Sequence, residues 1–129
     1  MAVVLGADTE VVLDGSLLGK PRDAGDAARM LRQLRGRTHE VITGLALVEV
    51  GGGRREATCA VVSRVTMGDY RDEEIDAYVA TGEPFDTAGA YAVQGLGGRL
   101  VARVEGCFTN VVGLPVTTTR RLLEAWGVL

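Results

Sequence analysis

Three residues carry the chemistry this sequence offers. Asp8 follows the apolar run Val3-Val4-Leu5, where a carboxylate would stand at a strand tip, rigidly supported and open to solvent. Such a group can hold a divalent cation or take a proton from water; Asp8-Thr9 can equally shape a turn. Lys20 is the single lysine beside thirteen arginines. Pro21 biases it toward an extended backbone, so its ammonium could meet a phosphate oxygen as a point charge or simply be solvated in a loop. Gln94 lies within "TAGAYAVQGLGG", residues 87–98. Its amide, one acceptor and two donors, could read the edge of a base, and the glycines could let backbone N–H groups approach an anion. A glycine-rich surface turn is the plainer reading of that stretch. Its spacing is neither that of a phosphate-binding Walker loop nor that of a dinucleotide-fold glycine motif.

Other candidates read as structural. His39 is the only histidine and has no Ser or Cys partner in a triad pattern, so a hydrogen-bonded structural role is expected. Cys59 and Cys107 match no metal-ligand spacing and read as small buried residues of a reducing compartment. Asp69, Asp72, Glu73, Glu74 and Asp76 read as a solvated helix face.

The elements that must position these residues can be sketched. Short strands are expected at 2–5 and 10–13, with Asp14-Gly15 as a turn. A helix over about 24–35 is expected, capped by Asp23, stopped by Gly36, with Ala24, Ala27, Ala28, Leu31 and Leu34 on one face. "HEVITGLALVEV" and "REATCAVVSRVTM" flank Gly51-Gly52-Gly53 as a long hairpin, the first arm apolar on both faces and so expected to be buried on both. Asp72 should cap a short helix closed by Gly82, "RLVARVE" reads as a strand, and Pro115 should open a last helix with Leu122, Leu123 and Trp126 as its stripe. Interleaved strands and helices give an α/β class with a mixed sheet. The 129 residues suit one domain, and 47% hydrophobic content suffices for a core. A net charge of -3 provides no basic field for a nucleic acid. No apolar run reaches membrane-span length and no signal peptide is evident, so a cytoplasmic protein is expected.

In order, "GADTEVV", "GKP", "RMLRQLRGRTHEVITGLAL", "DEEIDAYVATGEPFDTAGAYAVQGLGG" and "VVGLP" resemble the Maf family of nucleoside triphosphate pyrophosphatases, from about residue 3 to the C-terminus. The resemblance implies a long twisted mixed sheet flanked by helices, with a two-lobed cleft. It implies metal-dependent hydrolysis, with Mg²⁺ or Mn²⁺, of a nucleoside triphosphate to the monophosphate and pyrophosphate, and a possible homodimer. Asp8 then matches the family's proton acceptor and metal-binding aspartate, Thr9 a neighbour linked to substrate choice, and Lys20 a lysine near the phosphates. Gln94 matches the glutamine of members preferring dTTP and UTP, where 7-methyl-GTP members carry glutamate. A neutral amide suits a uracil or thymine edge, with its carbonyl acceptors and one N–H donor.

Family members also carry a strand and a Ser-x-Ser-Pro-Arg-Arg loop ahead of the Asp8 block, which has no counterpart here. Charge-assisted hydrogen bonds contribute about 1.5–3 kcal/mol each, so a chain without that loop is expected to be feebly active and to associate through an unfinished sheet edge. Two accounts of the gap compete. The full chain begins upstream, or the short form has lost hydrolysis and serves as a nucleotide- or partner-binding module linked to cell division.

Overall fold

A computed structural model describes residues 2–51 and 55–128. Asp14 and Gly15 take positive φ, 51° and 79°, the pair of left-handed residues that a two-residue hairpin turn favours. They join β1 (Ala2–Leu13) to the short β2 (Ser16–Leu18). β1 is one continuous strand, where two short ones were expected. It pairs with β3 (Thr38–Val50) without a break from Ala2↔Val50 to Val12↔Glu40, and that pairing holds Gly6 and Asp8 extended despite their weak strand propensity. β3 continues antiparallel into β4 (Glu56–Met67), and β4 into β5 (Val101–Glu105). The order is β2-β1-β3-β4-β5. Every pairing among the described residues is antiparallel, which corrects the expected mixed sheet while leaving the α/β class intact. Residues 52 and 53 of the expected glycine turn lie outside the described residues.

Strand alternation sorts the side chains onto two unlike faces. Val11, Leu13, Val41, Thr43, Leu45, Leu47, Ser63, Val65 and Met67 are buried on one face. The other carries Val4, Asp8, Glu10, Gly44, Ala60 and Val62, all exposed. β3 is therefore buried on one face and only half-covered on the other, where Ile42, Ala46 and Val48 are intermediate. Burial on both faces does not hold.

Helix α1 (Ala24–Leu34) covers the buried face. Asp23 caps it by accepting from the Asp26 N–H at 2.7 Å, and Gly36 turns the chain away at φ 66°. Leu31 and Leu34 have no exposed surface, a burial worth roughly 1.5–3 kcal/mol each. α2 (Asp72–Ala80) packs on α1. Its N-cap is Arg71, which makes no side-chain cap bond. Asp72 turns instead to Arg35, 2.8 Å away, because a guanidinium outcompetes the helix's own N–H groups for a carboxylate.

The segment between α2 and β5 is built of three 3₁₀ turns, 83–86, 88–90 and 96–100. A short helix that the sequence did not signal, α3 (Phe108–Val112), lies against β3 and β4. Asn110 anchors it, donating the two Nδ2 protons to the Val41 and Val61 carbonyls at 3.1 and 2.9 Å, with Ser63 Oγ 3.0 Å from the same nitrogen. α4 (Val116–Ala125) follows Pro115 as expected, and Trp126 at its end stacks beneath Arg55, 4.7 Å from the ring centre. No helix among the described residues is long and apolar enough to cross a membrane.

Candidate functional site

Where β2 ends, the chain leaves β1 and a cavity opens. The Gly19 carbonyl accepts from the Gly89 N–H at 3.1 Å, which ties the segment carrying Lys20 to the turn before Tyr91. That turn has two successive left-handed residues, Gly89 (φ 75°) and Ala90 (φ 68°). A Cβ at Gly89 would lie 3.0 Å from Val11 Cγ1, so glycine is what lets the turn rest on β1. The turn sends Tyr91 inward, where its hydroxyl meets His39 Nε2 at 2.6 Å, the rings edge to face. Burial pushes the His39 imidazole down to about 4, so it is neutral at physiological pH. Burial also raises the Tyr91 phenol well above its ordinary value. The expected structural role of His39 is thus a hydrogen bond that seats one wall of the cavity.

The cavity measures about 280 Å³, and its lining includes Thr9, Lys20, Asp86, Tyr91, Gln94 and Gly113. That lies just below the roughly 300–1,000 Å³ typical of small-molecule sites. Lys20 is its cation and Asp86 its carboxylate. Lys20 forms no ion pair, and the Gln94 carboxamide no protein hydrogen bond, among the described residues. Both side chains are exposed and available to a ligand. Thr9 Oγ1 sits 2.8 Å from Thr43 Oγ1 and 3.3 Å from the Gly113 carbonyl, while Thr43 donates to the Asn110 carbonyl at 3.4 Å. Each hydroxyl has one proton. Thr9 can spend its proton on the Gly113 carbonyl or on Thr43, so its hydroxyl is tied to both α3's end and β3 at the cavity wall.

Thr9, Lys20 and Gln94 are thus brought together as the sequence suggested, although Lys20 and Gln94 are far apart in the chain. Asp8 is not among them. It lies in mid-strand, opposite Gly44, not at a strand tip, and alternation directs its side chain to the face away from Thr9. The convergence of Asp8 with Lys20 and Gln94 in one cavity is corrected accordingly. Only β1's edge separates it from the cavity: over residues 2–10 that edge pairs with β3 on one side alone. Asp86, the carboxylate inside the cavity, was missed; nothing in its spacing from Lys20 or Gln94 marks it.

A divalent cation would find few protein ligands here. No group of three or more His, Cys, Asp or Glu side chains among the described residues could hold one. Mg²⁺ is commonly held by one or two carboxylates and completed by phosphate oxygens and water. Asp8 or Asp86 with a polyphosphate fits that pattern; a metal bound by protein alone does not.

One cavity over an antiparallel sheet thus carries an ammonium, which can meet an anion, and a free carboxamide, which can both donate and accept. Comparison with known proteins agrees in kind. The family model described as Maf-like protein matches residues 1–126, and the chain belongs to that family. It is 51% identical over 126 residues to a dTTP/UTP pyrophosphatase of Dictyoglomus turgidum, covering 98% of this chain and 65% of that protein. A dTTP/UTP pyrophosphatase of Escherichia coli O157:H7 is likewise 51% identical over 126 residues, with 98% and 62% covered. One from Carboxydothermus hydrogenoformans is 49% identical over 125 residues, with 97% and 67% covered. The chain therefore spans a little under two thirds of the length of the first of these relatives.

Proposed function

We propose that this chain binds a pyrimidine nucleoside triphosphate, dTTP or UTP, and hydrolyses it between the α- and β-phosphorus to the monophosphate and pyrophosphate. The observation that carries the reading is one cavity bearing both a free ammonium, Lys20, and a free carboxamide, Gln94. The relatives' names supply the substrate class. The cavity has room for a base and part of a sugar, with the phosphates running out past Lys20.

In the reaction, water attacks the α-phosphorus, the bond to the bridging oxygen breaks, and pyrophosphate leaves with the charge that develops on it. Lys20 stabilises that charge. A carboxylate accepts the proton of the attacking water. Asp8 takes this role if the phosphate tail crosses the unpaired edge of β1, and Asp86 is its competitor from inside the cavity. A divalent cation, Mg²⁺ or Mn²⁺, held by phosphate oxygens with Asp8 or Asp86, would neutralise charge on the phosphates. A cytoplasmic location and a homodimer are parts of the same proposal, as is the absence of a nucleic-acid partner.

Pyrophosphate release across a panel of nucleoside triphosphates tests the reading. The expected result is release from dTTP and UTP, abolished by Asp8→Ala with nucleotide binding retained. Loss of turnover in Asp86→Ala but not in Asp8→Ala would move the proton acceptor to Asp86. No product from any nucleotide refutes the activity. One observation favours a second reading, a module that binds nucleotide without turnover: the family's aspartate lies outside the cavity. Nucleotide binding without product, whatever the metal, is its signature.

A further inference from the structure

Gln94 stands on a turn that one carboxylate holds in shape. Glu83 accepts from the Leu96 N–H at 3.1 Å through Oε2 and from the Gly97 N–H at 3.1 Å through Oε1. The Tyr78 hydroxyl donates to the same Oε1 at 2.8 Å and itself accepts from the Ala92 N–H at 3.0 Å. The two fixed points bracket Gln94: Ala92 two residues before it, Leu96 and Gly97 just after. Between them the Gly95 N–H closes the turn onto the Ala92 carbonyl at 3.2 Å. The packing leaves no slack, since a Cβ at Gly97 would stand 2.5 Å from the Tyr78 hydroxyl and 2.7 Å from the Ala92 carbonyl oxygen. Burial pushes the Glu83 carboxyl up, but the bonds from Tyr78, Gly97 and Leu96 outweigh it and hold the group below its ordinary range. It is a carboxylate at neutral pH, able to accept at both oxygens.

We propose that Glu83 is a positioning residue for base selection: by clamping the chain on both sides of Gln94, it fixes the angle at which the carboxamide meets the heterocycle. This rests on the proposed role of the cavity as a pyrimidine nucleotide site. Uracil offers an N3 donor beside an O4 acceptor, and cytosine the reverse pattern in the same outline. An amide carries both patterns, one for each way its terminal torsion is turned. The carboxamide itself is unbonded among the described residues, so the clamp acts on where it is delivered: with the main chain held, one orientation of the amide is brought squarely to the uracil edge, and a loosened turn lets either orientation meet either base.

The test is the ratio of kcat/KM for UTP to that for CTP, in wild type, Glu83→Gln, Gln94→Ala and the double variant. Glu83→Gln keeps the shape but replaces one accepting oxygen with a donor facing a donor. The ratio is expected to fall about tenfold in Glu83→Gln, mainly through the KM for UTP, and not to fall further when Glu83→Gln is added to Gln94→Ala. That non-additivity separates positioning from a general loss of stability. A wild-type ratio in Glu83→Gln, or an equal additional fall in the Gln94→Ala background, overturns the proposal. Should Glu83→Gln not fold, Tyr78→Phe removes one donor to the carboxylate and the acceptor for Ala92, and is expected to move the ratio the same way by a smaller factor. If wild type binds but does not hydrolyse nucleotides, the ratio of dissociation constants for UTP and CTP reads the same effect, and the activity alone has failed. If it does neither, both proposals fall.

Discussion

His39 makes the stability of this protein depend on pH in a window where little else titrates. It is the only histidine, is 2% exposed, and burial lowers it from 6.5 to about 4. Its Nε2 is used by Tyr91, while its Nδ1 is buried without a partner among the described residues. Neutral, the ring can leave Nδ1 as a bare lone pair; protonated, it must bury an N–H with no acceptor. Between pH 6.5 and 4 the unfolded chain therefore binds a proton that the folded chain refuses, so stability rises with pH there and falls on acidification. The gap between 6.5 and about 4, at ~1.36 kcal/mol per pH unit, gives about 3 kcal/mol. That is a large share of the roughly 5–15 kcal/mol that holds a domain folded. Asp26, held low by the Arg22 N–H and Arg29, and Asp72, held low by Arg35, lose their contributions only below the ordinary carboxylate range near 4. Glu83, held low by Tyr78, Gly97 and Leu96, begins to lose its contribution at the bottom of the window, near 4.5; His39→Phe keeps every carboxylate, so the difference between the two proteins in urea unfolding at pH 4.5, 5.5 and 6.5 isolates the imidazole. Wild type should lose about 2 kcal/mol more across this range than His39→Phe, which is less stable at pH 7 for want of the Tyr91 bond. An equal slope in both, or a flat wild type, refutes the assignment.

Two further predictions concern the cavity and its wall. Gln94→Glu removes the donor facing O4 of a uracil or thymine and sets a carboxylate against that carbonyl. A change of this kind is worth about 1.5–3 kcal/mol, so kcat/KM for UTP should fall about tenfold or more relative to a guanine triphosphate, and an unchanged ranking removes Gln94 from base recognition. Asn110→Ala takes away the amide that ties α3 to the Val41 and Val61 carbonyls, and should cost about 2–4 kcal/mol. A shift in the urea-derived stability below about 1 kcal/mol would show that α3 is held by other contacts.

Local chemistry made part of the fold legible. Asp23, Gly36 and the apolar spacing between them mark α1 because cap, stop and stripe are all written within one short segment. Asp14-Gly15 marks the first hairpin for the same reason. What escaped the sequence depends on partners far along the chain. α3 is too short to announce itself and owes its place to Asn110, whose amide reaches two other strands. Asp72 looked like a cap until Arg35 came within 2.8 Å of it. The clamp around Gln94 joins Tyr78, Glu83, Ala92 and Gly97 through backbone N–H groups, which no residue type advertises.

The placement of Asp8 is the instructive failure, because the sequence did contain the signal. Val11 and Leu13 must face the core, and a strand's side chains alternate. Carrying that parity back through Thr9 puts Thr9 on the core side and Asp8 on the other. Reading 2–5 and 10–13 as separate strands broke the count at the residue that mattered. The consequence reaches the mechanism. Thr9 and Asp8 are adjacent in sequence, yet one lines the cavity and the other the exposed face, so a single ligand can engage both only by passing over the unpaired edge of β1. On the proposed reading, a triphosphate anchored by its base at Gln94 and passing Lys20 would bring its phosphates to that edge. Binding of UMP and of UTP should accordingly both survive Asp8→Ala, with hydrolysis of the triphosphate alone lost. Binding of UMP weakened by Asp8→Ala would mean that Asp8 acts through the fold and not on the reacting phosphates.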